Sequence, residues 1–225
     1  MSYVSVDVAS DPDGVAELRR LGARSIPVVS KGDDWVFAQS LDDVSKFLDL
    51  GLDMAPTLSL EALVERIDVV LDAAQRLVRQ IPDEALGDKL RNRDRTYRSL
   101  CYHVFRIPDS FLEVTQGVTL TRDMLVSDPP ESIQSFNAIA DYGQTVRAKV
   151  SDWWASKAQH DPKALLPTYY GDQPIHNVFE RTTWHSAQHA RQLAMLLEER
   201  GIAPDRPLTL AQLEGLPVPE KVWDE

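Results

Sequence analysis

A chain of 225 residues, 43% apolar and 26% charged, has the size for one large domain or a small one joined to a medium one, and an ordinary globular composition. Its formal net charge of −11, from 35 acidic against 24 basic side chains, speaks against nucleic-acid binding, and no run of about eighteen apolar residues exists to cross a membrane. A single cysteine, Cys101, excludes an intrachain disulfide and, with a start lacking signal-peptide features, sets the expectation of a cytoplasmic protein.

The first fifty residues read as β-α-β-β-α. Tyr3 to Val8 alternates apolar and polar residues at the period of a strand. Asp11-Pro12-Asp13-Gly14 offers a helix start, Val15 to Leu21 carries helical spacing, and Gly22 ends it. Pro27-Val28-Val29 and Trp35-Val36-Phe37 predict two short strands joined by the turn Lys31-Gly32-Asp33-Asp34. Ser40 can cap a helix from Leu41 to Leu50 that Gly51 closes.

In that order, Ser25-Ile26-Pro27-Val28-Val29 and Trp35-Val36-Phe37-Ala38-Gln39-Ser40-Leu41-Asp42-Asp43 resemble the second half of a glutaredoxin or thioredoxin-like domain, over roughly residues 3–50. The resemblance implies a cis-proline in the first stretch, and a turn that holds a glutathione carboxylate at a helix start in the second. The family's first strand, its Cys-x-x-Cys motif and its first helix are missing. Without a cysteine the segment, assigned to residues 1–51, cannot perform thiol-disulfide exchange. The sheet edge left open requires cover from the rest of the chain, from a second subunit, or from sequence upstream.

Residues 51–58 read as a linker, and beyond it the chain is helical. Ser59 to Gln80 places Leu63, Ile67, Val70, Leu71, Ala74 and Leu77 at spacings of three and four. A second helix spans Thr96 to about Thr115 with Pro108 inside it as an expected kink. The third runs from Ser132 to about Lys157, and the fourth from Pro174 to Arg200, stopped by Gly201. Lys89-Leu90-Arg91-Asn92-Arg93-Asp94-Arg95, with Arg98 beyond, lies between two helices and reads as a solvated loop rather than a phosphate site. Four long helices predict a four-helix bundle over residues 58–202, followed by a tail, 203–225, with a short helix and an extended end. The fold class is α+β overall and mainly helical.

Histidine is scarce, with five in the chain, and two stand four apart in Thr182-Thr183-Trp184-His185-Ser186-Ala187-Gln188-His189. At about 100° per residue that spacing puts both imidazoles on one helical face, the geometry for gripping one metal ion. The arc of Val178, Thr182, His185, His189, Gln192 and Leu196 is apolar at its ends and so faces the core. On the second helix His103 shares a stripe with Leu100, Ile107 and Val114. Each ring, taken singly, reads as a core histidine bonded to a carbonyl; together, one ion coordinated by all three satisfies them at once. His176 turns about 180° from the pair and is assigned to the surface, and His160 to a loop.

Leu100-Cys101-Tyr102-His103, with His185-x-x-x-His189 then Leu193 and Leu196-Leu197, resembles the DinB/YfiT superfamily over about residues 58–202. Its members are metal-binding four-helix bundles, often dimers. The resemblance implies that His103, His185 and His189 ligate a divalent ion, zinc or nickel, with water in the open positions, and that the chain forms a homodimer. Relatives include S-transferases and isomerases that use bacillithiol, mycothiol or glutathione, so a low-molecular-weight thiol and a small-molecule electrophile are the expected partners. A metal-dependent hydrolase, or a non-catalytic metal-binding bundle whose first segment serves association, stands as the alternative. Cys101 points some 200° from His103 and is a poor fourth ligand. Tyr97, Arg106 and Asp109 are placed near the pocket mouth with no general base assigned, and Trp153, Trp154 and Trp184 are read as packing residues.

Overall fold

The computed structural model describes residues 2–8, 11–91, 94–156 and 161–222. The chain divides into two compact units, Met1–Ala55 and Pro56–Glu225.

In the smaller unit, helix α1 (Pro12–Leu21) starts where the Asp11 carboxylate accepts from the Asp13 N–H. It ends at Gly22, whose φ of 71° lets two successive N–H groups, of Gly22 and Ala23, turn back to the carbonyls of Arg19 and Leu18. Strands β1 (Val28–Lys31) and β2 (Asp34–Phe37) pair antiparallel from Val28↔Phe37 to Lys31↔Asp34. The two-residue turn between them places Gly32 at φ 67°, at the first central position where a type II′ turn demands a positive φ. The Trp35 indole N–H donates to the Leu21 carbonyl at 2.7 Å and ties the hairpin to α1. Helix α2 (Leu41–Phe47) is capped by the Ser40 hydroxyl, which accepts from the Asp43 N–H. The Ile26–Pro27 peptide is cis.

The observed order is α-β-β-α, which corrects the expected β-α-β-β-α. Tyr3 to Val8 alternates as a strand should, yet among the described residues the sheet contains only β1 and β2. Tyr3 and Val4 remain 86% and 87% exposed. Alternation encodes two faces; a strand also needs an edge to bond to. Helix α2 stops at Phe47, short of Leu50, because the chain turns through Asp49 at φ 52°.

The larger unit is built on four long helices, three of which start at side-chain caps. Ser59, Thr96 and Ser135 hydroxyls accept from the N–H groups three residues on, opening α3 (Leu60–Gln80), α4 (Tyr97–Thr115) and α6 (Phe136–Ala155). Helix α7 (Ile175–Glu199) starts after Pro174 without a side-chain cap. Helix α4 runs as one helix through Pro108. Between α4 and α6 lies the short α5 (Arg122–Val126), and before α7 the two-residue strands β3 (Leu165–Leu166) and β4 (Gln173–Pro174) pair antiparallel. These pieces are too short for periodicity to mark them in the sequence. Helices α3 and α4 each pack against both α6 and α7, so α3 lies diagonal to α4 across the bundle, and α4 and α7 are neighbours. Leu63, Ile67, Leu71 and Leu77 of α3, Leu100 and Ile107 of α4, Ile139 of α6 and Leu193 of α7 fill the interior. Each buried aliphatic side chain contributes about 1.5–3 kcal/mol of transfer free energy. Phe111, Phe179 and Trp153 form an aromatic cluster with centroids 4.7–5.3 Å apart, so Trp153 packs as expected.

Guanidinium groups complete the unit. Arg147 of α6 bonds both carboxylate oxygens of Asp68 and one of Asp72 on α3. Arg98 donates to the carbonyls of Pro129, Pro130 and Ile133, pinning the stretch between α5 and α6 onto α4. In the basic stretch before α4, Lys89 pairs with Asp94 and Arg91 with Glu199, as surface ion pairs. The tail beyond residue 202 belongs to this unit. Helix α8 (Leu210–Leu213) buries Leu213. Arg66 donates to the carbonyls of Ala211 and Glu214, Arg76 to that of Arg206, and Arg191 to those of Pro219 and Glu220.

Helices α4 and α6 approach closely at Gly143, where an added Cβ would lie 2.6 Å from the Phe105 ring. Overpacking of this kind costs about 1–3 kcal/mol, against roughly 1 kcal/mol that alanine gains over glycine within a helix. Gly143→Ala is therefore expected to lower stability despite its better propensity, read as a lower denaturant midpoint. An unchanged midpoint would mean that Phe105 yields without cost.

Candidate metal centre

Helix periodicity puts His185 and His189 one turn apart on α7, and the packing of α4 beside α7 brings His103 to them. Ring centroids lie 5.4 Å apart for His103 and His185, 4.9 Å for His103 and His189, and 5.0 Å for His185 and His189. One ligand nitrogen from each ring falls within 4.8 Å of the others. His103 and His189 are 5% and 3% exposed, and His185 is half-buried.

Second contacts orient the rings. His189 Nδ1 lies 2.9 Å from Gln192 Oε1. An amide oxygen only accepts, so Nδ1 carries the proton and Nε2 presents its lone pair. The Leu125 backbone of α5 acts on the His103 ring and works against the lowering of its pKa, while the ring's Nδ1 is buried with no hydrogen-bond partner. Nδ1 of His185 and Nε2 of His189 are equally withdrawn from solvent. The Trp184 ring stacks on His185 at 5.6 Å and 17°, a contact that the sequence reading as plain packing missed.

Burial drives the electrostatics. Desolvation holds the His103 and His185 rings well below the usual imidazole value, and the neighbouring His189 adds to this, as do the positive charges of Arg181 and Arg95. Both rings are neutral donors at physiological pH, the form a cation requires. Arg181 lies one turn before His185 on α7 and stands over the Tyr170 ring at 5.8 Å. No carboxylate or thiol joins the histidine cluster among the described residues. Cys101 is fully buried, and desolvation pushes its thiol far above the ordinary range, so it is inert.

The other expected mouth residues are engaged elsewhere. Asp109 accepts from the Tyr142 hydroxyl at 2.8 Å and pairs with Lys149 at 2.9 Å, Arg106 pairs with Glu113, and Tyr97 lies under Arg200. Tyr142 and Lys149 belong to α6, so this network joins α4 to α6. His176 is half-buried and its Nε2 donates to the Leu58 carbonyl at 2.7 Å. One turn on, burial raises the Glu180 carboxyl to about 7 against a hydrogen bond from the Thr57 backbone. Both side chains hold the start of the unit to α7. His160 lies outside the described residues.

A donor set of three imidazoles, one with an orphaned buried nitrogen, fits a divalent cation such as zinc, whose bonds to histidine are about 2.0–2.1 Å. Metal-free protein carries the cost of that burial. The unfolded chain binds protons on His103 and His185 below about 6.5 while these two native rings stay neutral, so stability is expected to fall as pH drops below that value. The slope reaches about 1.4 kcal/mol per pH unit for each histidine held neutral. Denaturant melts of chelated protein between pH 7 and 5 check this, and His185→Asn should flatten the slope; a slope unaltered by that change would place the acid sensitivity elsewhere.

No protein-family model matches the chain, and no curated protein matches it in sequence. A solved DinB-like protein from Bacillus cereus ATCC 10987 is similar in structure, at 15% identity and a TM-score of 0.55, over 68% of this chain and 99% of that one. No helix of the described residues is long and apolar enough to cross a membrane. The chain contains a helical bundle similar in fold to that DinB-like protein, with three histidines placed compatibly with a metal ion.

Proposed function

We propose that the protein is a metal-dependent enzyme in which His103, His185 and His189 hold a divalent ion, zinc or nickel, to activate a low-molecular-weight thiol such as glutathione against a small-molecule electrophile. The reaction class is S-transfer or thiol-dependent isomerisation. One observation carries the reading: three imidazoles, two buried and one half-buried, converge and no further ligating side chain joins them among the described residues. A structural zinc site closes its coordination with four protein ligands, whereas a set of three leaves room for a reactant.

When bound, a divalent ion supplies positive charge that deprotonates a coordinating thiol and polarises an electrophile. The remaining work belongs to the chain. Gln192 fixes the His189 tautomer, and the Trp184 ring holds His185 in place. Desolvation keeps the His103 and His185 rings neutral. Arg181, whose charge reaches His103 and His185, favours an anionic partner such as a thiolate or a carboxylate-bearing peptide. The likeness of Ser25 to Val29 and Trp35 to Asp43 to a thioredoxin-like half supports a glutathione-type thiol within this proposal, by association of fold alone.

Protein purified without an affinity tag is expected to carry about one divalent ion per chain. Adding metal at a hundredfold excess over its dissociation constant should stabilise the chelated protein by about 2.7 kcal/mol. His185→Ala should lose most of the ion and all metal-dependent conjugation of glutathione to a generic electrophile, with helical content retained. Full metal content and full activity in that variant would sink the reading.

A further inference from the structure

Proline at position 108 withholds the N–H that would bond the carbonyl of Val104, and its ring crowds that same carbonyl. Val104 is fully buried, so water cannot serve it. The donor comes from the other helix: the Ser186 hydroxyl of α7 donates to the Val104 carbonyl at 3.0 Å. Val104 follows His103 directly, and Ser186 follows His185. This hydrogen bond from a side chain of α7 to the backbone of α4 thus joins the residues adjoining two of the three imidazoles.

The neighbouring hydroxyls on α7 behave otherwise. Thr182 and Thr183 turn back within their own helix to the carbonyls of Val178 and Phe179, both at 2.8 Å. On α4 the Ser110 hydroxyl likewise turns back, to the Arg106 carbonyl. A buried serine in a helix has this local acceptor one turn away. Ser186 crosses because the proline leaves an acceptor empty opposite it.

We propose that Pro108 and Ser186 act together as a positioning device for the candidate metal centre: the proline frees a carbonyl, and the serine captures it, setting the axial register of α4 on α7 and so the place of His103 relative to His185 and His189. Ser186 is a positioning residue, since it touches a backbone carbonyl rather than an imidazole. The inference rests on the metal reading above. It predicts something a simple buried hydrogen bond does not: the need for Ser186 disappears when the amide at position 108 is restored.

The test is a double-mutant cycle on the full chain, with cobalt(II) titrated into metal-free protein and followed by its visible absorption, beside thermal unfolding without metal. In the Pro108 background, Ser186→Ala is expected to weaken cobalt binding about tenfold or more and to lower the unfolding midpoint by several degrees, of the order of 4 °C. In the Pro108→Ala background the alanine N–H supplies Val104, and the same Ser186→Ala change should alter cobalt affinity by no more than about twofold. Equal losses in both backgrounds overturn the pairing. A lower midpoint with unchanged cobalt affinity overturns the positioning role and leaves a structural bond. A wild-type chain that binds no cobalt overturns the metal reading, and this inference with it, an outcome distinct from the other two.

Discussion

An imidazole nitrogen taken into a helical bundle loses its water and must regain a partner from the protein or from a ligand. His103 and His189 accept that loss almost completely, and the half-buried His185 has its Nδ1 withdrawn from solvent. Much of the larger unit is arranged around the demand. Helix α4 must neighbour α7, α5 must bring Leu125 to His103, and Gln192 must stand one turn beyond His189. Hydrophobic burial supplies the bulk of the stability, but the polar requirement selects which faces meet. A bundle with the same apolar stripes and a shifted register would bury the same area and strand the rings.

Much of this was legible in the chain because two periodicities coincide. The starts read at Ser59, Thr96 and Ser132 and the apolar spacing behind them locate three long helices to within a few residues, the third opening at its Ser135 cap instead. The spacing of His185 and His189 places two rings on a face whose burial the flanking Val178 and Leu196 announce. Placing His103 beside them needed the bundle, since nothing in a single helix says which neighbour it meets. Contacts of the second rank were less legible. Gln192 lies on the expected arc, yet its bond to Nδ1 depends on rotamers, and Leu125 sits in a helix of five residues that leaves no periodic trace. Pro108 was legible as a disturbance of α4, while its counterpart on α7 was hidden, because serine on a buried face looks like any small residue.

Alternation misled at Tyr3 to Val8. Period two states how side chains would distribute if the backbone were extended and paired, and it is silent on the partner. The smaller unit closes instead through local devices: a left-handed glycine after α1, a glycine at the hairpin turn, and an indole bonded to the end of that helix. A pair of four-residue strands contributes little alone. Its packing on α1 and α2 is what makes it a unit.

Residues 206–222 follow a course held mainly by guanidinium groups that grip main-chain oxygens. Every amino acid, proline included, offers the same oxygen, and Pro219 is in fact one of those gripped. The route of this terminal strap is therefore inscribed in peptide geometry rather than in side-chain identity, apart from the anchors Leu213 and Leu216. Its outward-facing positions are free to drift in evolution, or to be rewritten by an engineer, while the strap keeps to the same path along the bundle.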